Sequence, residues 1–133
     1  MERVIKSKEE WKKVLGKEEY HVMWEAGTEF PWSSPLNDNK KSGTYVCGSC
    51  ANQLFNSKAK FNSGTGWPSF YEPVTEKSVE LESDKSLSVE RVEVCCARCG
   101  AHLGHVFDDG PEPTGKRYCM NGAALKFIEG KSS

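Results

Sequence analysis

The 133-residue sequence has no long apolar run and no excess of charge of either sign. Its longest unbroken apolar stretch is Val94–Ala97, far short of the roughly 20 apolar residues that a membrane-spanning helix needs. Eighteen basic and nineteen acidic residues leave a net charge of -1, so no broad cationic surface is expected to bind nucleic acid or an anionic membrane. Residues 1–13 lack the apolar core and cleavage site of a signal peptide. A soluble, cytoplasmic protein is therefore expected.

Cysteine is also too scarce for a disulfide scaffold. The chain has six cysteines, below the roughly 8–10% of short secreted chains that disulfides hold together. Five of them fall within Cys47–Cys50 and Cys95–Cys99, and the sixth, Cys119, stands alone. In a reducing compartment, clustered cysteines more often bind metal or carry out redox chemistry than cross-link a fold.

The length fits a single domain over residues 1–133. At its start, Ser7 and Glu10 have the spacing of a helix capping box. Apolar residues then recur at helical spacing on either side of Gly16, and Gly27 offers a C-terminal stop. We therefore expect a helical N-terminal extension over residues 1–27.

The remainder of the chain is expected to be mainly β. Pro, Asn and Ser residues between positions 28 and 43 favour an irregular surface loop. From 43 to 128, short segments rich in Tyr, Val, Phe and Leu are separated by Gly, Pro and Asn, which is typical of antiparallel β structure. Apolar alternation changes phase near Glu90 or Arg91, which predicts a bulge or bend there. The predicted strands are Thr44–Cys47, Gln53–Asn56, Val79–Glu82, Leu87–Val94, His102–Phe107, Arg117–Met120 and Leu125–Ile128.

Two C-x-x-C pairs are the clearest metal-binding signal. Their four thiolates, from Cys47, Cys50, Cys96 and Cys99, would satisfy a tetrahedral structural zinc site with no open position. Cys95 is an alternative ligand, but Cys96 keeps the C-x-x-C spacing. Two other interpretations stay open at this point: free or disulfide-bonded cysteines, and a mononuclear iron site, which four thiolates also suit.

Cys119 lies away from both pairs. On a strand, Arg117, Cys119 and Asn121 share one face, so a cation and an amide would flank the sulfur. Because the thiolate is the reactive form, and only about 3% of a thiol with a pKa of about 8.5 is ionised at pH 7, a nearby cation should raise the reactive fraction. The pattern predicts an activated nucleophile.

Two histidines precede this strand, at His102 and His105. A regular strand would direct them to opposite faces, but a bulge at Gly104 would bring both to one side. His105 shares its face with Phe107 and Asp109 by alternation. Imidazoles beside a thiolate can supply protons. These residues alone are equally consistent with histidines that lie on the surface or next to the metal and take no part in catalysis.

The segment Phe61–Phe70 contains Trp67 between glycines and Pro68. Glycine and proline at these positions fix an unusual backbone path and can hold the indole ring as a pocket wall. Trp and Phe are also ordinary core residues, and taken alone the segment favours core or loop packing.

Taken together, these motifs identify the sequence as a member of the methionine sulfoxide reductase B family, which reduces methionine-R-sulfoxide. The match runs from about Tyr20 to Phe127. Its motifs are Gly43–Cys47, Ser63–Phe70, His102–Phe107, Asp109–Pro111, Pro113–Gly115 and Arg117–Cys119. The resemblance implies a zinc-clipped, tent-like β fold of two antiparallel sheets, one structural Zn²⁺ held by the two cysteine pairs, and Cys119 as the nucleophile.

The resemblance also implies a role for each neighbour of Cys119. Cys119 would attack the sulfoxide sulfur and become a sulfenic acid. Trp67 would hold the substrate methyl group and, with Phe107, line the substrate site. The proton-delivering and supporting residues would be His102, His105, Asp109, Arg117 and Asn121.

The sequence departs from the family pattern in the residues for regeneration. Many members carry a resolving cysteine where this chain has Thr65, so an external thiol or thioredoxin is expected to regenerate the enzyme. The protein is expected to be a monomer and to act on free or protein-bound methionine-R-sulfoxide. Cys95 stands where an apolar residue is common and is interpreted as a small buried hydrophobe as readily as a resolving thiol. Ala51, where glycine is frequent, is expected to be neutral.

Two functions from other classes compete with this interpretation. One is a non-catalytic, zinc-clipped β module that only binds partners. The other is a general thiol–disulfide oxidoreductase, which would need a C-x-x-C pair free of metal.

Overall fold

The computed structural model describes residues 2–84 and 91–130. Two short helices come first, α1 at Lys8–Val14 and α2 at Lys17–Trp24. The predicted capping box of Ser7 and Glu10 is confirmed at the start of α1. Within the described ranges, neither these helices nor any other is long and apolar enough to span a bilayer.

The second helix ends before the predicted stop at Gly27. Trp24 is its last helical residue, and Ala26 takes a left-handed conformation with φ 54°. A residue with positive φ just beyond a helix commonly terminates it. Here Ala26 ends the helix without a glycine, so the helical prediction extends three residues too far at this end. At the other end it includes residues 2–7, which precede α1 and are not helical.

The described chain after the helices is mainly β, as predicted. The strands are β1 Gly43–Cys47, β2 Gln53–Asn56, β3 Lys60–Phe61, β4 Ser69–Phe70, β5 Val79–Asp84, β6 Arg91–Cys96, β7 His102–Phe107, β8 Arg117–Met120 and β9 Leu125–Glu129. They form a three-stranded sheet in the order β2-β1-β9 and a six-stranded sheet in the order β3-β4-β8-β7-β6-β5. Each pairing is antiparallel, so the predicted fold class is confirmed.

Most strand predictions agree with the structure to within two residues. The strands β3 and β4 were not predicted. They have two residues each and are too short to show any alternation of apolar and polar residues. Residues 87–90 of the predicted strand Leu87–Val94 lie outside the described residues, and so does Glu90, one of the two positions at which the bend was predicted. The rest of that predicted strand lies in β6.

Aromatic packing joins the two sheets. Phe70 of the six-stranded sheet stacks on Phe55 of the three-stranded sheet, with ring centroids 4.4 Å apart and planes at 12°. Tyr45 of the three-stranded sheet packs edge-on against Phe70, with ring centroids 5.0 Å apart. All three side chains are completely buried, and such pairs contribute about 0.5–1.5 kcal/mol each beyond the burial of their area.

The irregular segment between α2 and β1 contributes to the interior as well as to the surface. Its predicted lack of regular structure is confirmed apart from one 3-10 turn at Pro35–Asp38. However, Glu29 is only 5% exposed, and the Trp32 amide donates to the Gly66 carbonyl at 2.6 Å. The segment therefore fastens to the loop that carries Trp67.

Candidate active site and metal centre

Three neighbouring strands place Glu93, His105 and Cys119 in one row. Glu93 of β6 pairs with His105 of β7, and His105 pairs with Cys119 of β8. Directly opposed residues in an antiparallel sheet project from the same face with Cβ atoms about 4.5–5.5 Å apart. The row therefore brings a carboxylate, an imidazole and a thiol together on one face of the six-stranded sheet.

A bulge in β7 adds the second histidine to this face. Val94 pairs with Gly104 but Cys95 pairs with His102, so Leu103 is the extra residue. The rings of His102 and His105 consequently meet edge to face, with centroids 5.4 Å apart, and the predicted bulge is confirmed. Gly104 is required there, because a Cβ at this position would lie 2.1 Å from the backbone oxygen of Cys119.

Cys119 opens into a cavity of about 230 Å³. The predicted site residues that line it are Trp67, His105, Phe107, Arg117, Cys119 and Asn121, and they are joined by Thr28, Thr65, Arg91 and Gly104. Most of the predicted site thus converges on one cavity. Its walls combine two aromatic rings with two guanidinium groups, an imidazole and an amide around a single thiol.

His102 and Asp109 lie outside the cavity wall and each contacts a residue that faces it. His102 is 7% exposed, and its Nδ1 lies 2.5 Å from Oε2 of Glu93. Asp109 is exposed and accepts from Arg117 through both carboxylate oxygens, at 2.9 and 3.2 Å. The same guanidinium sits 4.4 Å above the Phe107 ring centroid, so Arg117 is held from two sides.

Burial has the largest effect on the pKa of Cys119. It raises the pKa of the thiol above its usual value, while the Arg117 charge and hydrogen bonds from Thr65 and Arg117 act in the opposite direction. Arg117 therefore favours the thiolate, as predicted from the sequence. The pKa of Cys119 is nevertheless raised on balance, because the lost hydration of a half-buried thiolate outweighs these contacts.

Glu29 is a site-supporting residue that the sequence did not indicate. Its carboxylate accepts from the amides of Gly122 at 2.7 Å and Ala123 at 2.9 Å. Its own amide donates to Oδ1 of Asn121 at 3.0 Å, and its carbonyl accepts from Nε1 of Trp67 at 3.1 Å. One loop residue therefore connects two walls of the cavity.

Glu93 was also missed. Its position between two valines could have indicated the polar face of a strand, but no local signal gives its partner across β7. Glu29 offered even less signal, since it lies in a segment without periodicity.

The four predicted metal ligands form a second cluster, at the edge where the sheets meet. Their sulfurs all lie within 4.8 Å of one another, with 3.7 Å between those of Cys47 and Cys99 and 3.6 Å between those of Cys50 and Cys96. Four ligands at the Zn–S distance of about 2.3 Å in a tetrahedron would have sulfurs about 3.8 Å apart. The donor set and its spacing fit a zinc site, whereas a disulfide needs about 2.05 Å.

The two cysteine turns have the same backbone hydrogen bonds. The amide of Ala51 donates to the carbonyl of Cys47 at 2.9 Å, and the amide of Gly100 donates to that of Cys96 at 2.8 Å. Ala51 and Gly100 occupy equivalent positions with φ of 64° and 84°. Ala51 was expected to be neutral, but a Cβ in the left-handed region costs roughly 1–2 kcal/mol, so this departure is unfavourable.

Hydrogen bonds among the cysteines of this cluster shift their pKa values in opposite directions. Hydrogen bonding, first to Cys47, lowers the pKa of Cys50 to about 7 and also lowers the pKa of Cys96. Hydrogen bonding with Cys50 and Cys96 raises the pKa of Cys47. A bound cation would take the place of these protons, as metal binding to cysteine requires.

Cys95 belongs to neither the cavity wall nor the four-sulfur cluster. Its sulfur lies with a carboxylate oxygen of Glu93 and a ring nitrogen of His102, all within 4.8 Å of one another. Burial, with Glu93 and Glu82 adding to it, raises the pKa of Cys95 to about 12. The free thiol is therefore protonated at neutral pH.

The chain belongs to the SelR domain family, whose model matches residues 15–129. Within this class its relatives are enzymes named peptide methionine sulfoxide reductase MsrB. The protein of that name from Methanosarcina barkeri is 56% identical over 124 residues, which cover 93% of this chain and 87% of the relative. Those from Leptospira interrogans and Shigella dysenteriae are 52% and 50% identical and cover 93% and 95% of this chain, and 95% and 92% of their own lengths. The resemblance seen in the sequence is thereby confirmed.

Proposed function

We propose that this protein reduces methionine-R-sulfoxide, free or within proteins, to methionine with Cys119 as the nucleophile. The observation that carries the proposal is the direct pairing of His105 with Cys119 at a cavity walled by Trp67 and Phe107. A nucleophile, a proton donor and an apolar wall are the groups that sulfoxide reduction needs. The family assignment gives the same reaction class.

In the first step the Cys119 thiolate attacks the sulfoxide sulfur. His105 donates a proton to the sulfoxide oxygen as charge accumulates there, and Arg117 stabilises the developing negative charge. The attack forms a sulfur–sulfur bond between Cys119 and the substrate. The protonated oxygen then moves from the substrate sulfur to the sulfur of Cys119 as the sulfur–sulfur bond breaks, so that methionine leaves and Cys119 becomes a sulfenic acid. Glu93 holds the imidazole of His102 against His105, and Asp109 holds the guanidinium of Arg117.

Substrate selection follows from the aromatic wall. The Trp67 indole is fixed by its hydrogen bond to the Glu29 carbonyl, which presents a rigid face for the methyl group of the substrate. The amide of Asn121 is fixed by Glu29 and by the carbonyl of Leu103 at 3.1 Å. We assign the preference for the R epimer to this pairing of an apolar and a polar wall, because the S epimer would exchange its methyl group and oxygen between them.

Regeneration requires an external thiol, such as thioredoxin, in this proposal. Thr65 hydrogen-bonds to Cys119 and has no sulfur to contribute. Cys95 lies on β6, which β7 separates from the strand of Cys119, and strands two apart lie about 9.5 Å from each other. A disulfide needs Cα atoms within about 7 Å, so the sulfenic acid would react with an incoming thiol, releasing water, and a second thiol would restore Cys119.

The zinc site has a structural role in this scheme. A Zn²⁺ ion held by Cys47, Cys50, Cys96 and Cys99 would tie β1 to β6 and so fix one sheet against the other. With four protein ligands it has no position left for substrate. We propose that the enzyme acts as a monomer in a reducing compartment, since its chemistry requires free thiols.

The decisive experiment compares two single cysteine variants, Cys119→Ser and Cys95→Ser, with dithiothreitol as reductant and each sulfoxide epimer as substrate. We expect Cys119→Ser to lose turnover while it retains one zinc, and Cys95→Ser to retain turnover of the R epimer. A sulfenate-trapping reagent should label Cys119 after one equivalent of substrate. Turnover by Cys119→Ser would disprove the role of this thiol, and a wild-type protein inactive toward both epimers would favour a binding module.

A further inference from the structure

We propose that Glu93, Cys95 and His102 form a second metal site, distinct from the four-cysteine centre, which binds a borderline divalent cation such as Zn²⁺. Glu93 is the end member of the row that it forms with His105 and Cys119, and Cys95 and His102 lie beside this row on the same face of the six-stranded sheet. Each offers a different donor: a carboxylate oxygen, a thiolate sulfur and an imidazole nitrogen. Zinc accepts all three donor types.

The backbone brings these donors together. Glu93 and Cys95 are alternate residues of β6 and share its face, while His102 is the β7 partner of Cys95 across the bulge. Their ligand atoms lie within 4.8 Å of one another. In a tetrahedral site the nitrogen and oxygen would stand about 3.3 Å apart, so the present 2.5 Å contact of Nδ1 with Oε2 needs to open by less than about 1 Å.

The surroundings favour a cation. On β5, Glu80 pairs with Cys95 and Glu82 pairs with Glu93, so two more carboxylates stand on this face. Glu80 also pairs with the exposed Arg3 at 3.0 Å. An ion can reach the site because the Glu93 side chain remains 23% exposed, although His102 is buried.

Three protein ligands leave a fourth position for water, which is the composition of an exchangeable or catalytic zinc site. The ion would displace the thiol proton of Cys95. Affinity should be weaker than at the four-cysteine centre, which has one more thiolate and no open position. The site would therefore fill after the structural one.

Occupation of the site has a consequence that rests on the proposed function. A cation bound to His102 would fix its ring away from His105 and add positive charge beside the proton donor. Sulfoxide reduction should then slow reversibly as the second equivalent of Zn²⁺ binds.

The test measures metal stoichiometry first, which does not depend on activity. Reduced protein that carries one zinc is dialysed against increasing free Zn²⁺, and bound metal is measured by elemental analysis and native mass spectrometry. We expect wild type to bind two equivalents and Cys95→Ala to bind one. Loss of even an outer-sphere partner costs about 10- to 100-fold in metal affinity, so loss of this ligand should weaken the second site by at least about 100-fold.

Two further variants locate the ion. Cys119→Ala should still bind two equivalents, which excludes binding at the reactive thiol, and Glu93→Gln should lose the second equivalent even if Cys95→Ala is poorly folded. A wild-type protein that stops at one equivalent, or a Cys95→Ala protein that binds a second as tightly as wild type, would overturn the proposal. If excess Zn²⁺ inhibits wild type but not Cys95→Ala, the second site is linked to turnover. If both proteins are inhibited equally while only wild type binds the second equivalent, the proposed role of His102 is wrong and the metal site stands.

Discussion

His105 lies directly opposite Cys119 on neighbouring antiparallel strands. The imidazole and the thiol are therefore positioned by the backbone ladder of β7 and β8 and not by flexible loops. A slip of one residue in either strand would turn one side chain to the opposite face. The bulge at Leu103 then brings His102 to the same face, so sheet register and one irregularity assemble the site.

Removal of the cation beside Cys119 should make its thiol harder to ionise. The Arg117 charge lowers a pKa that burial has raised above the usual value of a thiol, so Arg117→Met should shift the alkylation midpoint further upward. The measurement is the pH dependence of iodoacetamide labelling in a zinc-loaded Cys95→Ala background. Lys116→Met is the matched control, because this neighbouring cation pairs with exposed Asp108. Equal midpoints for both variants would refute the role of Arg117.

Thr65→Cys should replace regeneration by an external thiol with the formation of an internal disulfide. Thr65 is within hydrogen-bonding reach of Cys119, so Thr65→Cys places a second thiol beside the nascent sulfenic acid. After one equivalent of substrate and no reductant, its mass should fall by two hydrogens through an internal disulfide, whereas wild type should gain an oxygen. Persistence of the sulfenate in Thr65→Cys would show that the thiols do not meet.

The two cysteine turns provide a matched pair of stability variants. Ala51 and Gly100 hold equivalent positive-φ positions. The strain of about 1–2 kcal/mol from a left-handed Cβ is partly offset by the larger entropy that glycine loses on folding, so Ala51→Gly should stabilise the protein by about 0.5–1 kcal/mol and Gly100→Ala should destabilise it by a similar amount. A Cβ at Gly100 would meet nothing within 4 Å, so steric overlap does not confound the comparison. Urea unfolding of the zinc-loaded proteins gives both values, and effects of the same sign would contradict this account.

Metal removal should unfold the protein. Structural zinc contributes an apparent binding free energy of about 10–16 kcal/mol, which equals or exceeds the net stability of about 5–15 kcal/mol of a typical domain. Because Cys47 and Cys96 belong to different sheets, chelation under reducing conditions should abolish near-ultraviolet circular dichroism. A chelated protein that keeps its spectrum and its melting temperature would show that the metal is dispensable.

Neutralisation of Glu29 should destabilise the fold. Its buried carboxylate accepts two backbone amides, and in Glu29→Gln one of these donors would face an amide group that cannot accept. An unsatisfied buried donor costs about 1–3 kcal/mol, which urea unfolding would detect. Glu112→Gln, which changes an exposed carboxylate, should be nearly neutral, and equal stabilities of the two variants would refute the importance of the Glu29 contacts.

Much of the site was accessible from sequence because its signals are local or belong to recognisable motifs. The two C-x-x-C spacings predicted the sulfur cluster, and alternation along β8 predicted that Arg117, Cys119 and Asn121 face one side. The supporting residues were not accessible. Glu29 acts through contacts with residues 92 to 94 positions away, and nothing in its own neighbourhood distinguishes it from a surface residue.

The sequence by itself determined the helix cap at Ser7, most strand positions, the cluster of four cysteines and the family, since these depend on spacing and periodicity within short stretches. The tertiary structure decided the register that sets His105 against Cys119, the burial that raises the thiol pKa and the meeting of Glu93, Cys95 and His102. Those features arise from pairing between distant segments and from exclusion of water, and both are properties of the folded chain.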